Sequence, residues 1–395
     1  MDDKELREHL ARGPLAKNGF DEALRRRIHE QIDNPRRRAR RLWVPMARLG
    51  GAMAVLFAVL AGAWLWQAQS SGDAVKENLK LDTTTQDATP AASAQTAMTT
   101  EPPRSAMLIG LRKDIPSRQT STYRTVLVTP EDGELRVNAS LEGIYMPYKL
   151  KFYRLDAVGD TRSQGSQMIT SVPAGEALPV ALATGPANRT NEKLLFAGNK
   201  YVSLLQTTTD ADTGDSTSRV WVKDIEQLAP AIREKSVLAK DEPHYQLTEL
   251  VHLSSTMSDE WTIARDKGHW VTKIPGRSDT PEQLLRNIAL SSSIGPLLPT
   301  DVSSYDTLWL NWDDIRAKEP AAIDAFTSPT EDLLAVQTAD AINISAYRMQ
   351  ESGMKPLSIQ LEDGESVVMV QWAQDGYVNN WKTMLGQWIG TTNHN

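Results

Sequence analysis

LGGAMAVLFAVLAGAWLW, residues 49–66, is the stretch that decides how this chain is organised. It holds 18 residues without a charged side chain. At about 1.5 Å per residue, a helix of that length spans roughly 27 Å, close to the hydrocarbon thickness of a bilayer. Trp43, Trp64 and Trp66 lie near its ends, where interfacial aromatic residues are common. We therefore predict a single transmembrane helix over Leu49–Trp66, in preference to a buried helix of a soluble core.

The charges on either side of this stretch predict its orientation. Residues 1–48 contain 13 Lys and Arg against 8 Asp and Glu, and the rest of the chain contains 30 against 42. Because positively charged segments stay on the cytoplasmic side, we expect a cytoplasmic N-terminus and an exported C-terminal part. A cleaved signal peptide, with Ala61-Gly62-Ala63 as the cleavage site, is the alternative. It is disfavoured because 48 residues precede the apolar run, whereas signal peptides have a short leader.

The composition excludes several kinds of site. The chain has no cysteine, so it cannot form disulfides, thiolate zinc sites, a lipoprotein anchor or a cysteine nucleophile. The acidic balance of the exported part argues against direct nucleic-acid binding there. The arginines just before the span indicate topology and contact with anionic lipid.

Residues 1–48 are predicted to form two short amphipathic helices in the cytoplasm. The first ends at Gly13-Pro14, and the second runs from about Gly19 to Ile32. The apolar residues of the second helix recur every four positions and form one stripe: Phe20, Leu24, Ile28 and Ile32. Two short helices cannot bury a core of their own. The stripe must therefore contact a partner protein, a second copy of the chain or the membrane surface.

The segment GPLAKNGFDEALRRRIHEQI (residues 13–32), the arginine-rich turn after it, the single span and the large exported part resemble a known layout. They are similar to membrane-anchored anti-sigma factors of the extracytoplasmic-function type from Gram-positive, Paenibacillus-like bacteria. The resemblance implies that the cytoplasmic helices sequester a sigma factor and that the exported part senses an envelope signal. The zinc-containing subclass uses a histidine and two cysteines. Because this chain has no cysteine, zinc is not implied.

Small residues recur along the predicted span. Gly50, Ala54, Ala58 and Gly62 lie four residues apart, a spacing that lets two helices approach closely. The stripe predicts a homodimer through the span, although alanine and glycine are common in spans and the spacing also arises by chance.

Residues 67–104 are predicted to be a flexible stalk. No aromatic residue occurs between Trp66 and Tyr123, and the stretch is rich in Ser, Thr, Ala, Gln and Pro. Such a composition cannot bury enough apolar surface to order itself. Exposed backbone of this kind is also accessible to proteases, so the stalk is a candidate cleavage site.

Residues 105–395 are predicted to form a β-rich exported domain with some helices (α+β). Alternating or β-branched runs predict strands at 122–129, 134–139, 143–147, 150–155, 201–206, 219–222, 333–337, 341–347, 357–361 and 366–372. Thr280-Pro281 predicts the start of one helix, and a second is predicted from Trp312 to Phe326. A polar stretch near Lys240 separates a β-rich part, 105–240, from an α+β part, 241–395.

Motifs of common hydrolases are absent from the sequence. There is no HExxH and no GxSxG, which excludes the helical zinc-protease pair and the nucleophile elbow. Ser352-Gly353-Met354-Lys355 fits SxxK, but its glycine and the following Pro356 predict a loop. We therefore expect that the chain is not an enzyme and needs no cofactor.

Two groups of acidic residues are candidates for metal binding or acid–base chemistry. Asp210, Asp212 and Asp215 do not follow the EF-hand order, so a solvated turn is favoured over a calcium site. Asp313 and Asp314 are adjacent and diverge by about 100° on a helix, so they cannot act as a pair. No metal site is predicted.

The tryptophans of the exported part cluster late in the chain. Those after residue 260 are Trp261, Trp270, Trp309, Trp312, Trp372, Trp381 and Trp388. Packing in a core is the simpler explanation. Because aromatic faces also stack on sugars and contact peptides, a glycan- or peptide-binding surface is the alternative.

Two functions from different classes fit these observations. The first is a regulator that holds a sigma factor in the cytoplasm and senses an unknown envelope ligand outside. The second is a membrane-tethered module that binds cell wall or another ligand without regulating anything. The amphipathic helices favour the first, because a simple anchor does not need them.

Overall fold

A computed structural model of the chain describes residues 102–160, 163–182, 189–210, 212–233, 243–251, 258–295, 298–348 and 354–389. Several predictions lie outside these residues: the cytoplasmic helices with Phe20, Leu24, Ile28 and Ile32, the span with Gly50, Ala54, Ala58 and Gly62, stalk residues 67–101, the boundary near Lys240, and Ser352. Among the described residues, no helix has the length and hydrophobicity needed to cross a membrane.

The described residues are built mainly from strands, which confirms the predicted β-rich fold. In chain order they are β1 (Ser105–Ile115), β2 (Thr120–Glu131), β3 (Glu134–Glu142), β4 (Ile144–Tyr148), β5 (Lys151–Asp160), β6 (Ser163–Pro173), β7 (Ala181–Leu182), β8 (Arg189–Ala197), β9 (Tyr201–Thr209), β10 (Ser216–Asp224), β11 (Thr262–Asp266), β12 (His269–Lys273), β13 (Asp324–Thr327), β14 (Leu333–Gln337), β15 (Ala341–Ala346), β16 (Leu357–Gln360) and β17 (Glu365–Gln374). The α-helices are α1 (Pro230–Arg233), α2 (Leu247–Leu250), α3 (Pro281–Leu290), α4 (Trp312–Lys318) and α5 (Gly376–Gly386).

These strands form three larger sheets and one hairpin in the described part of the chain. Sheet A has the order β17-β1-β2-β3, and sheet B has the order β10-β9-β8-β6-β5-β4 with β7 added beside β5. Sheet C has the order β13-β14-β15-β16, and β11 pairs with β12. Because β17 pairs with β1, sheet A joins the beginning and the end of the described chain.

Strand β1 is buried on both faces. Ala106 and Leu108 lie in a core shared with sheet B, whereas Met107, Ile109 and Leu111 lie in a core shared with sheet C. Successive side chains of a strand point to opposite faces, so the continuous apolar run serves both cores. Sheet A is thus the middle layer of three. The sequence analysis did not predict β1, because the run lacks the alternation of a half-buried strand.

The predicted helix from Trp312 to Phe326 is wrong in its second half. Helix α4 ends at Lys318, and residues 324–327 form strand β13 instead. Pro320 explains the early end, because proline disfavours helical backbone in the residue before it and provides no N–H donor. The other predicted helix is confirmed: Thr280 caps α3 by accepting a hydrogen bond from the Gln283 N–H.

Side chains hold sheet B together where its backbone pairing is sparse. Strands β6 and β8 pair in parallel only at Gln167 and Asn191. The buried Glu192 carboxylate links the two strands by side-chain contacts. It accepts a hydrogen bond from the Ile169 N–H at 2.9 Å and forms an ion pair with Arg233 at 2.5 Å. A buried ion pair with further hydrogen bonds compensates both charges, whereas loss of one partner would leave a charge in the core.

Close packing around Gly110, against β17 of the same sheet and against β4 of sheet B, generates a first prediction. A Cβ added at Gly110 would lie 2.8 Å from the Met369 Cβ and 3.1 Å from the Ile144 Cδ1. Gly110→Ala should therefore lower the free energy of unfolding by about 1–3 kcal/mol, as overpacking does. Gly386→Ala is the control, because no described atom lies within 4 Å of its added Cβ. It should be neutral or stabilising by up to about 1 kcal/mol. Urea denaturation measures both, and equal stability of the two variants would contradict the packing described.

Candidate ligand-binding groove

The described residues enclose an open groove of about 910 Å³. Its first wall is the tip of the β4–β5 hairpin, residues 147–152. Asn199 and Tyr305 form the second wall. The third is the end of β17 with α5, within residues 372–384. A groove of this size matches the pockets that hold small ligands, roughly 300–1,000 Å³.

The floor of the groove is formed by aromatic residues of the two cores that flank sheet A. Phe152 is buried in the core between sheets A and B, and Trp372 is buried in the core between sheets A and C. The Trp381 ring lies edge-on to Phe152, with ring centroids 5.6 Å apart and planes at 72°. Trp388 contacts the same phenylalanine at 6.3 Å. Core packing therefore fixes the floor in place, as expected for a preformed site.

The mouth of the groove carries large side chains that the fold leaves exposed. Leu150, Tyr305 and Tyr377 are 88%, 54% and 58% exposed, and each comes from a different wall. Exposed apolar side chains grouped at one concave place mark an interaction site more often than chance.

The turn that carries Leu150 has an unfavourable sequence for its conformation. Two-residue hairpin turns with positive φ at both positions favour Asn-Gly or Asp-Gly. The described residues contain three such turns, at Asp132-Gly133, Lys149-Leu150 and Lys267-Gly268. Only the turn at the groove lacks glycine. Backbone strain of this kind is typical of functional sites.

The N-terminal end of β1, where the predicted stalk would join the domain, adjoins the groove. Ser105 and Gln374 form the last pair between β1 and β17. Beyond it, the N–H of the groove residue Asp375 donates to the Arg104 carbonyl at 3.0 Å. The Asp332 carboxylate accepts the N–H groups of Arg104 and Ser105 at 2.6 and 3.2 Å. The last predicted stalk residue is therefore fastened to the domain at the rim of the groove.

A buried charge cluster anchors the wall that carries Tyr305. The neighbouring Asp306 carboxylate accepts hydrogen bonds from Arg265 at 2.8 Å and from the Trp270 N–H at 2.6 Å. Arg265 also forms a bidentate ion pair with Asp324, with N–O distances of 2.6 and 3.0 Å. Burial raises the pKa of Asp306 to about 6, and the Arg265 charge opposes this shift.

The charges at the rim are largely paired. The Lys149 ammonium lies 2.5 Å from the Glu226 carboxylate, which also accepts the Tyr148 hydroxyl at 3.1 Å. The hydrogen bond from Lys149 lowers the pKa of Glu226 below its usual range. Asp375 lies 3.5 Å from Arg104. The rim therefore presents little uncompensated charge to a ligand.

The tryptophans singled out in the sequence divide between core and groove. Trp261 and Trp270 are buried in a separate core beside β11 and β12. Trp309 is 45% exposed and does not line the groove. Trp372 and Trp381 line it, whereas Tyr305 and Tyr377 were not singled out because isolated tyrosines carry no spacing signal.

The acidic candidates contact backbone. Asp210 accepts the N–H groups of Asp212 and Thr213 at 2.9 and 3.0 Å, as in a solvated turn. Asp313 and Asp314 lie in the first turn of α4, which Asn311 caps. Within the described residues, no three histidine or acidic side chains are grouped so as to hold a metal ion.

A second cleft, of about 620 Å³, is a weaker candidate. Two ion pairs lie in its lining. Arg124 pairs with Glu365 at 2.6 Å, and Lys113 pairs with Glu362. Because these groups already have partners, a ligand would have to displace them.

Relief of the strained turn provides a second prediction. Lys149→Asn with Leu150→Gly should raise the free energy of unfolding by about 1 kcal/mol, because the new pair tolerates the left-handed backbone. Asp132→Asn is the matched control, since its turn already contains glycine, and it should change stability by less than about 0.5 kcal/mol. Thermal or urea unfolding compares the two. A double variant less stable than the parent would show that the turn is not strained.

The raised pKa of Asp306 provides a third prediction. The ordinary value is 3.8, so the folded state binds this proton more tightly than the unfolded state. The contribution of Asp306 to the free energy of unfolding is therefore lost as the pH rises from about 4 through about 6. Between pH 5 and pH 7 the parent should lose roughly 1 kcal/mol more than Asp306→Asn. Asp301→Asn, in the same loop, should behave like the parent, and identical pH profiles for all three would contradict the shift.

Comparisons of the chain with protein family models, with curated proteins and with solved structures find no match. The functional assignment therefore rests on the residues of this chain and on the geometry of the groove.

Proposed function

We propose that this chain is a single-pass membrane regulator that resembles an anti-sigma factor. In this proposal the N-terminal helices sequester a sigma factor in the cytoplasm, and the exported β-rich domain binds an envelope ligand in the groove. The helix over Leu49–Trp66 connects the two sides of the membrane, and a homodimer through the span is part of the same proposal. The chain acts by binding and carries out no catalysis.

The contact between groove and stalk is the observation that carries this proposal. Asp375 lines the groove and, through its N–H, holds the Arg104 carbonyl. Its backbone has a φ of 48°, a conformation that non-glycine residues seldom adopt. A ligand that contacts Asp375 would favour one geometry of this junction over another. Such differential contact is what allows a ligand to shift a conformational equilibrium.

The charge pattern and the apolar stripe support the cytoplasmic half of the proposal. Residues 1–48 carry the excess of Lys and Arg, and the stripe of Phe20, Leu24, Ile28 and Ile32 needs a partner. An apolar helix face that docks in a helical groove is a common recognition mode. A sigma factor, which is largely helical, offers such a groove.

The groove also supports a second candidate function, a membrane-tethered module that binds a ligand and regulates nothing. Both functions predict ligand binding outside the cell. They differ in the cytoplasm, where only the regulator needs a protein partner for the stripe.

A fourth prediction tests the stripe in the full chain. Leu24→Asp with Ile28→Asp places two charges in a desolvated contact and should cost on the order of 2–4 kcal/mol of binding energy per site. In cells, sigma-dependent genes should then be expressed constitutively. Arg26→Lys is the control, because it keeps the charge and lies off the stripe. A transcript profile of each strain measures the effect.

Two outcomes separate the candidate functions. Capture of a sigma factor by the parent chain, with loss in the double variant, supports the regulator. If neither the double variant nor deletion of the gene alters transcription, the regulator is excluded and the tethered module becomes the better account. Binding of residues 1–48 to anionic vesicles without any protein partner would lead to the same conclusion.

A further inference from the structure

We propose that the groove binds a neutral oligosaccharide. This inference rests on the proposed function only in taking the groove as the ligand site of the exported domain. It does not depend on a sigma factor.

The aromatic side chains of the groove suit a sugar ring. Each pyranose has a face of C–H groups that packs on an aromatic ring and an edge of hydroxyl groups that hydrogen-bond. Tyr305 and Tyr377 are more than half exposed at the mouth, and Trp381 continues the aromatic surface inward. Tyrosine and tryptophan offer such contacts at a low cost in side-chain entropy.

Uncharged polar side chains stand beside these rings. Gln374, Asn380 and Thr383 line the groove, and their side chains make no hydrogen bond to another described residue. Amides both donate and accept hydrogen bonds, and a hydroxyl does the same. These groups match the hydroxyl and acetamido substituents of a sugar.

The charges of the groove complement a neutral ligand. Lys149 is paired with Glu226 and Asp375 with Arg104, at 2.5 and 3.5 Å. A polyanion such as nucleic acid needs a row of unpaired cations, whereas here Lys151 is the further charge on the lining. A strongly charged peptide would meet the same mismatch. Electrostatic complementarity therefore favours an uncharged partner.

The walls of the groove are preorganised for binding. Lys149, Leu150, Tyr305 and Asp375 all have positive φ, and they account for four of the nine non-glycine residues with this backbone in the described chain. Strain concentrated at one place is a signature of preorganisation. A preformed site lowers the ordering cost of binding, which matters for weakly held sugars.

The experiment uses the full chain in lipid nanodiscs. Isothermal titration compares the neutral tetrasaccharides chitotetraose, cellotetraose and maltotetraose with an uncharged leucine–alanine tetrapeptide. We expect at least one tetrasaccharide to bind with a Kd below about 1 mM. Tyr305→Ala with Tyr377→Ala should weaken that binding at least about tenfold. Both side chains are exposed, so the variant should unfold at the same temperature as the parent.

Two control variants separate ring stacking from general damage. Tyr305→Phe with Tyr377→Phe keeps both rings and should bind within about threefold of the parent. Leu290→Ala removes an apolar side chain that is 84% exposed outside the groove and should leave binding unchanged. Failure of every tetrasaccharide to bind would overturn the proposal, as would binding of the tetrapeptide alone or a tyrosine-to-alanine variant that binds normally. These results leave the sigma-factor test untouched, so the two proposals can fail separately.

Discussion

The burial of β1 on both faces is the constraint on which the described structure depends. Its side chains belong alternately to the core with sheet B and to the core with sheet C. A strand in this position needs an apolar run between the two cores, here residues 106–111, and has to be paired on both edges, as β1 is by β2 and β17. Because β17 is close to the end of the described chain, the two cores are complete only when distant parts of the sequence have come together.

The same strand pair determines where the groove lies. Strand β1 begins where β17 ends, and after β17 the chain turns into α5. Asp375 stands at this corner, with its N–H on the Arg104 carbonyl and its side chain near the arginine. The sandwich thus presents a site of unusual backbone geometry at the N-terminal end of the described chain. In the proposed function this position suits a sensor, because a ligand bound at Asp375 would lie beside the predicted stalk.

Local patterns in the sequence predicted much of the β-structure and little of the groove. The hairpin of β9 and β10, the strands β14, β15 and β16 of sheet C and the cap at Thr280 follow from alternation, turn residues and capping chemistry. Strand β1 was not predicted, because a strand buried on both faces does not alternate between apolar and polar residues. The groove was not predicted, because Leu150, Tyr305 and Tyr377 are far apart in sequence. They come together only when sheet B, α5 and the loop before α4 have packed. A turn without glycine, at Lys149-Leu150, carries no local signal of its conformation.

Amide hydrogen exchange of the full chain in nanodiscs tests whether a ligand in the groove affects the residues through which the predicted stalk would join the domain. Exchange would be compared with and without a saturating concentration of the tetrasaccharide that binds, at the groove residues Tyr377 and Asp375 and at Arg104 and Ser105. We expect the sugar to slow exchange in the groove and also at Arg104 and Ser105, whose N–H groups bond to Asp332. Protection confined to Tyr377 and Asp375, with unchanged exchange at Arg104 and Ser105, would contradict the link between ligand and stalk and leave a binding module without a relay.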